Sequence, residues 1–112
     1  MKIQSSTEPA TPPVNVMATA TSSRSISVAW ENVLEIDQNG IVTMYEVLYQ
    51  PLETFDGAIM TQTMIVMSPD TSLTLMNLEE YVIYNISVRA YTSVGPGVYS
   101  EGTEERTIED GK

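Results

Sequence analysis

The chain contains no cysteine and no histidine, one tryptophan, one phenylalanine, and five Lys plus Arg against fifteen Asp plus Glu. Each shortage removes a class of chemistry. Without cysteine there is no disulfide framework, thiol nucleophile, zinc thiolate site or iron–sulfur cluster. Without histidine, the usual general base at neutral pH and the commonest transition-metal ligand are both gone. A formal net charge of -10 argues against nucleic acid, whose phosphates call for clustered cations. No apolar run reaches the ~20 residues needed to cross a bilayer, so direct membrane insertion is not expected. Met1 to Pro9 holds a basic residue with no apolar stretch behind it, and does not read as a secretory signal. No cofactor is implied. Binding or scaffolding is favoured over catalysis.

What is present is a series of alternating segments. With 112 residues the chain has room for one domain and one core. Residues 1–12 are rich in Ser, Thr, Pro and Glu and read as a flexible linker; residues 13–108 read as the domain and 109–112 as a fraying tail. Val14, Val16 and Ala18 alternate with polar neighbours, as do Ile26, Val28 and Trp30, then Tyr45, Val47 and Tyr49. A fourth strand is expected within Ala58 to Met67, and Leu73, Leu75 and Leu78 follow the Pro69-Asp70 turn. Tyr84, Ile86, Val88 and Ala90 form the longest clean run, and Val98 to Ile108 supplies a last strand after Gly95-Pro96-Gly97. No helical stripe of apolar residues competes. Seven strands with turns every 8–15 residues predict an all-β fold, a seven-stranded immunoglobulin-like antiparallel sandwich.

Several of these residues together resemble the fibronectin type III family, over about residues 12 to 108. Pro13 opens the first strand, and the lone Trp30 faces inward on the second. Leu78 followed six residues later by Tyr84 is similar to the family's tyrosine corner, in which the phenol hydroxyl bonds to backbone across the turn between the fifth and sixth strands. Tyr81 competes for that role but lies in phase with the outward Asn85 and Arg89. Glu79-Glu80-Tyr81-Val82-Ile83 replaces the Pro, Gly and Thr usual between the Leu and the Tyr. An immunoglobulin domain is the near neighbour, without the Cys pair that would mark it.

Four features carry possible chemistry. Glu35, Asp37 and Asn39 occupy positions 1, 3 and 5 of an EF-hand calcium loop, with Gly40 at 6 and Glu46 at 12. Position 1 is Glu rather than Asp, no helix flanks the loop, and Glu46 falls on the outer face of a strand. These residues are therefore read as a decoy, with no metal site, in a loop whose tight turn is Asn39-Gly40. Asn85-Ile86-Ser87 is a glycosylation sequon on an outward parity; its alternative is an unmodified polar surface residue. The pairs Glu79-Glu80 and Glu104-Glu105 are not catalytic carboxylates, because neighbours on a strand point to opposite faces. Finally, Met44 and Leu48 face outward on the same sheet as Arg89 and Tyr91, joined by Met60 and Met64 if the fourth strand pairs with the third. Such a patch can mark a protein contact; the alternative is scattered surface apolars under a neighbouring strand. The remaining acids gather elsewhere, leaving the third strand's outer face comparatively apolar.

The resemblance implies a non-catalytic, extracellular interaction and spacer module of a larger cell-surface receptor or adhesion protein, including receptor-type tyrosine phosphatases. Its termini would lie at opposite ends of a rigid sandwich. Its partners would be other proteins, neighbouring domains of the same chain among them, and the isolated domain would be monomeric. An intracellular scaffold or muscle module, or an accessory domain of a multidomain enzyme, is the alternative.

Overall fold

The computed structural model describes residues 7–52 and 63–109. Among them are seven strands: β1 (Val14–Ser22), β2 (Ser25–Glu31), β3 (Met44–Pro51), β4 (Met64–Ser68), β5 (Ser72–Leu75), β6 (Ile83–Tyr91) and β7 (Thr103–Arg106). Among the described residues the one helical element is a turn of 3-10 helix, Glu35–Asp37. The strands form two antiparallel sheets, β1-β2-β5 and β4-β3-β6-β7.

Period-2 alternation builds the core from both sheets. Ile26, Val28 and Trp30 of β2 and Leu75 of β5 meet Tyr45, Val47 and Tyr49 of β3 and Tyr84, Ile86, Val88 and Ala90 of β6. Burying each branched or aromatic side chain contributes about 1.5–3 kcal/mol. Trp30 contacts Tyr45 across the sandwich, edge to face, with ring centroids 5.5 Å apart.

Three details differ from the sequence reading. The last strand is shorter, because Val98 to Gly102 leaves the ladder. Continuing the register from Tyr91↔Pro96 would set Ile86 against Glu101, yet Ile86 faces Thr103. The two extra residues are accommodated around Ser100, whose hydroxyl accepts the Val88 N–H in place of a backbone carbonyl. Secondly, the segment from Asn32 to Thr43 crosses between sheets, so Asn39-Gly40 is not a hairpin turn, although Asn39 takes the left-handed conformation at φ 58°. Thirdly, β4 starts at Met64; the expected start at Ala58 lies outside the described residues.

The two ends of the domain are tied down differently. Residues 7–12, read as a flexible linker, are docked: the Thr7 and Ala10 N–H groups donate to the Asn39 and Asp37 carbonyls, each at 2.8 Å, and the Thr92 hydroxyl donates to the Thr7 carbonyl. Pro9 is buried against Gly97. At the opposite end Thr107 bridges the Glu79 carbonyl and the Val82 N–H, and the Ile108 N–H donates to Ser22. The chain thus enters beside the loops 32–43 and 92–97, and leaves beside the β1–β2 turn. Residues 1–6 and 110–112 of the expected linker and tail lie outside the described residues.

Candidate functional site

The outward face of β3 and β6 is set by register. Met44 pairs with Tyr91, Glu46 with Arg89 and Leu48 with Ser87, so Met44, Leu48, Arg89 and Tyr91 share one face. All four are partly exposed. The β4 residues beside them are Met67, opposite Glu46, and Ile65, opposite Leu48, both exposed. Met64 does not join this face: it pairs with the inward Tyr49 and packs, with Val66, against the core. Met60 lies outside the described residues.

At the centre of the face is a carboxylate that sequence parity places on the outer side of β3 but whose burial parity does not show. Glu46 is on the outer parity but only 2% exposed. Arg89 Nη2 donates to its Oε1 at 3.1 Å and the Tyr91 hydroxyl donates to the same oxygen at 2.5 Å. Its Oε2 accepts from the Tyr99 hydroxyl in a short hydrogen bond. The Arg89 guanidinium also sits 4.3 Å from the Tyr99 ring centroid. The face is therefore a charged and phenolic clamp with an apolar border, not an apolar surface. Three side chains contributed by β6 and the segment after it cover the acid.

This environment decides what Glu46 can do. Burial alone would push its pKa up, but hydrogen bonds from Tyr91, Tyr99 and Arg89, together with the Arg89 charge, outweigh that and hold it below the usual carboxylate value. Burial and then the bond to Glu46 push the Tyr99 phenol up to about 12. A general base needs a raised pKa and a free lone pair facing substrate; Glu46 has neither. What the clamp does is fix Arg89, Tyr91 and Tyr99 in place. Preorganised Arg and Tyr side chains suit protein contact, because little side-chain freedom remains to be lost on binding.

The other candidates are placed apart from this face. Glu35 and Asp37 lie in the 3-10 turn, the Asp37 carboxylate accepts from Thr11, and Asn39 donates its side-chain amide to the Glu8 carbonyl. Glu46 is committed to the clamp, so the EF-hand-like spacing does not bring its four side chains onto one point. Asn85 faces outward between Gln50 and Glu104, with its side-chain amide directly over Gly102, where a Cβ atom would collide with it. Glu79-Glu80 lies in the loop before β6 rather than on a strand. On β7, Glu104 is exposed while Glu105 accepts the Ala20 N–H of edge strand β1 at 2.8 Å.

Trp30, Leu78 and Tyr84 are buried. The Tyr84 hydroxyl accepts the Glu79 N–H at 2.9 Å, tying the β5–β6 loop to the sixth strand. Tyr81 instead is 46% exposed in the left-handed conformation, its ring stacked against Arg106.

Tyr99 was missed by sequence reasoning because its segment lacks strand periodicity. The Glu46–Arg89 pair had a signal, opposite charges on outward parities of adjacent strands, but one that needs the register to be read.

Similarities to known proteins agree with this fold. The cell adhesion molecule DSCAM of Gallus gallus is 40% identical over 102 residues, 91% of this chain and 5% of that protein. The receptor-type tyrosine-protein phosphatase F of Mus musculus is 35% identical over 104 residues, again 91% of this chain and 5% of that protein. The chain thus spans about one-twentieth of the length of these curated relatives. The crystal structure of the FN5 domain of Drosophila Lar is similar with a TM-score of 0.71 and 26% identity, covering 89% of this chain and 97% of that one. Residues 11–106 match the fibronectin type III domain, and with the two sheets, the inward Trp30 and the Tyr84 corner in place, the chain belongs to that family.

Proposed function

We propose that the chain is a non-catalytic, extracellular protein-interaction and spacer module of a larger cell-surface receptor or adhesion protein. The observation that carries this reading is the likeness to short stretches of long adhesion and receptor proteins. The fold supports it, because the polypeptide enters at one end of the sandwich and leaves at the other, as a link in a series must. The contact face is the clamp around Glu46, with Arg89, Tyr91, Met44 and Leu48 presented to a partner protein. The isolated chain is a monomer, with no cofactor and no affinity for nucleic acid. Asn85 carries a glycan in the secretory pathway.

Antibody against this domain, applied to intact cells that express the native protein, tests the placement. Surface staining is expected; staining only after permeabilisation would overturn it and favour an intracellular scaffold. Intact mass after expression in a eukaryotic secretory host tests Asn85, where an unmodified mass counts against the glycan. The likeness to a receptor phosphatase favours one second reading, an accessory domain of an enzyme whose chemistry sits in another domain. This chain alone then turns over no phosphotyrosine substrate.

A further inference from the structure

The end of the sandwich at which the chain enters combines exposed aliphatic and acidic side chains with, among the described residues, no cation. The opposite end also exposes Met76, Tyr81 and Ile108, but it carries Arg24 and Arg106. Loop 32–43 closes this end together with residues 7–12 and 92–97, all joined by the hydrogen bonds among Thr7, Asn39 and Thr92. On these segments and just after them, Leu34, Ile36, Ile41, Val94 and Val98 are exposed, Ile36 by 86% and Ile41 by 81%. Scattered exposed aliphatics need no explanation, but five on the segments around one end of a small domain are a concentration. The fold does not require them: the buried residue of loop 32–43 nearest to them is Val33, which already fills the core position. Exposed Glu8, Glu31, Glu35 and Asp70 and the partly exposed Asp37 lie on the same end, Asp70 because Thr71 accepts the Trp30 N–H at the end of β2. Among the described residues the cations are elsewhere. Arg24 is in the β1–β2 turn and Arg106 at the far end of β7, while Arg89 is bonded to Glu46.

We infer that this end is a docking surface for a partner protein whose contact face carries aliphatic side chains ringed by lysine or arginine. The apolar side chains supply the area to be buried, and the carboxylates select the sign of the partner. Opposite potential speeds encounter and excludes acidic competitors, this chain's own acidic copies among them. The held segment Thr7 to Thr11 keeps the loops in one arrangement, so the surface is preformed. The inference rests on the reading of the chain as a protein-interaction module, but its failure is distinguishable, since surface staining of cells does not depend on these side chains.

The probe is a synthetic amphipathic peptide of leucine and lysine, compared with its leucine–glutamate counterpart, added to the isotope-labelled chain. The lysine peptide is expected to move the amide resonances of residues 34–41 and 92–98, and the glutamate peptide to leave them in place. Ile36→Ser with Ile41→Ser, at two exposed positions that leave the core intact, is expected to weaken binding at least ~10-fold, or ~1.4 kcal/mol. Shifts spread equally over Glu79-Glu80 and Glu101 to Glu105 would overturn the proposal as charge attraction without a site. Unchanged affinity of the double variant would overturn it as well. So would movement of the same resonances with protein concentration and no peptide, since the occupant would then be a second copy.

Discussion

Glu46 shows how a single acid can be costly and stabilising at once. Removing a carboxylate from water is unfavourable unless its oxygens are matched, and here Arg89, Tyr91 and Tyr99 match both. Glu46→Gln keeps the shape and removes the charge, leaving Arg89 without its counter-ion. The expected loss is about 2 kcal/mol in urea unfolding, below the ~3–5 kcal/mol of a fully buried broken pair because the Arg89 side chain stays 25% exposed. The sign of the pH dependence follows from the lowered pKa. The folded state binds this proton less readily than the unfolded one, so the contribution is complete above the unfolded value of about 4.5 and is lost as pH falls through the folded pKa. Wild-type chain should therefore lose stability below about pH 4.5 more steeply than Glu46→Gln; parallel acid limbs would refute the clamp. Tyr84→Phe is a separate case. It strands the Glu79 N–H in a partly buried site, with an expected loss of about 1–2 kcal/mol and an unchanged denaturant slope.

At the scale of elements, the segment before β1 behaves as part of the domain. Its hold depends on Gly97, where a Cβ would stand 2.7 Å from the Pro9 carbonyl oxygen and 2.9 Å from its Cβ. Backbone on both sides of that contact leaves little room to adjust. Gly97→Val is expected to expel Pro9, raising hydrogen exchange at Thr7 and Ala10 about 10-fold or more while the β3 and β6 amides keep their protection. Uniform loss of protection would mean that the whole fold had weakened instead. This element also marks where sequence stops being informative. Strand positions and the inward faces of β2, β3 and β6 are legible because parity is a local property, and Leu78 with Tyr84 is legible because a fixed spacing reflects a fixed turn. The docking of Thr7 to Thr11 mixes backbone bonds with isolated side-chain ones from Thr11, Asn39 and Thr92, and such scattered contacts leave no periodic pattern to read. The burial of Glu46 depends on residues 43 to 53 positions away, and Tyr99 reaches it from an irregular stretch. For β4 the missing information was register: Met64 and Val66 face the core, Ile65 and Met67 the clamp. An alternating run without charges leaves both phases open until its partner strand is known.

For the whole molecule the relevant quantity is how its charge of -10 divides between two kinds of electrostatics that respond differently to salt. The Glu46–Arg89 pair is sheltered, so mobile ions screen it weakly. The five carboxylates of the end where the chain enters repel one another through water, over distances comparable to the Debye length, about 30 Å at 0.01 M salt and about 8 Å at 0.15 M. Added salt should therefore stabilise the wild-type chain by relieving repulsion, raising Tm by about 2–4 °C across that range. Glu31→Gln with Glu35→Gln, both at exposed positions, should raise Tm at low salt and reduce its rise with salt. Glu46→Gln should lower Tm at every ionic strength and leave the slope as in wild type. If instead Glu46→Gln abolished the salt dependence, the clamp would be open to solvent and the acidic end would contribute no repulsion. The division matters for function because the same carboxylates that destabilise the free domain are the ones a cationic partner would neutralise. Binding there would then stabilise the fold by mass action, and because the relief of repulsion is part of the binding free energy, that stabilisation should shrink as salt screens the charges and weakens the complex.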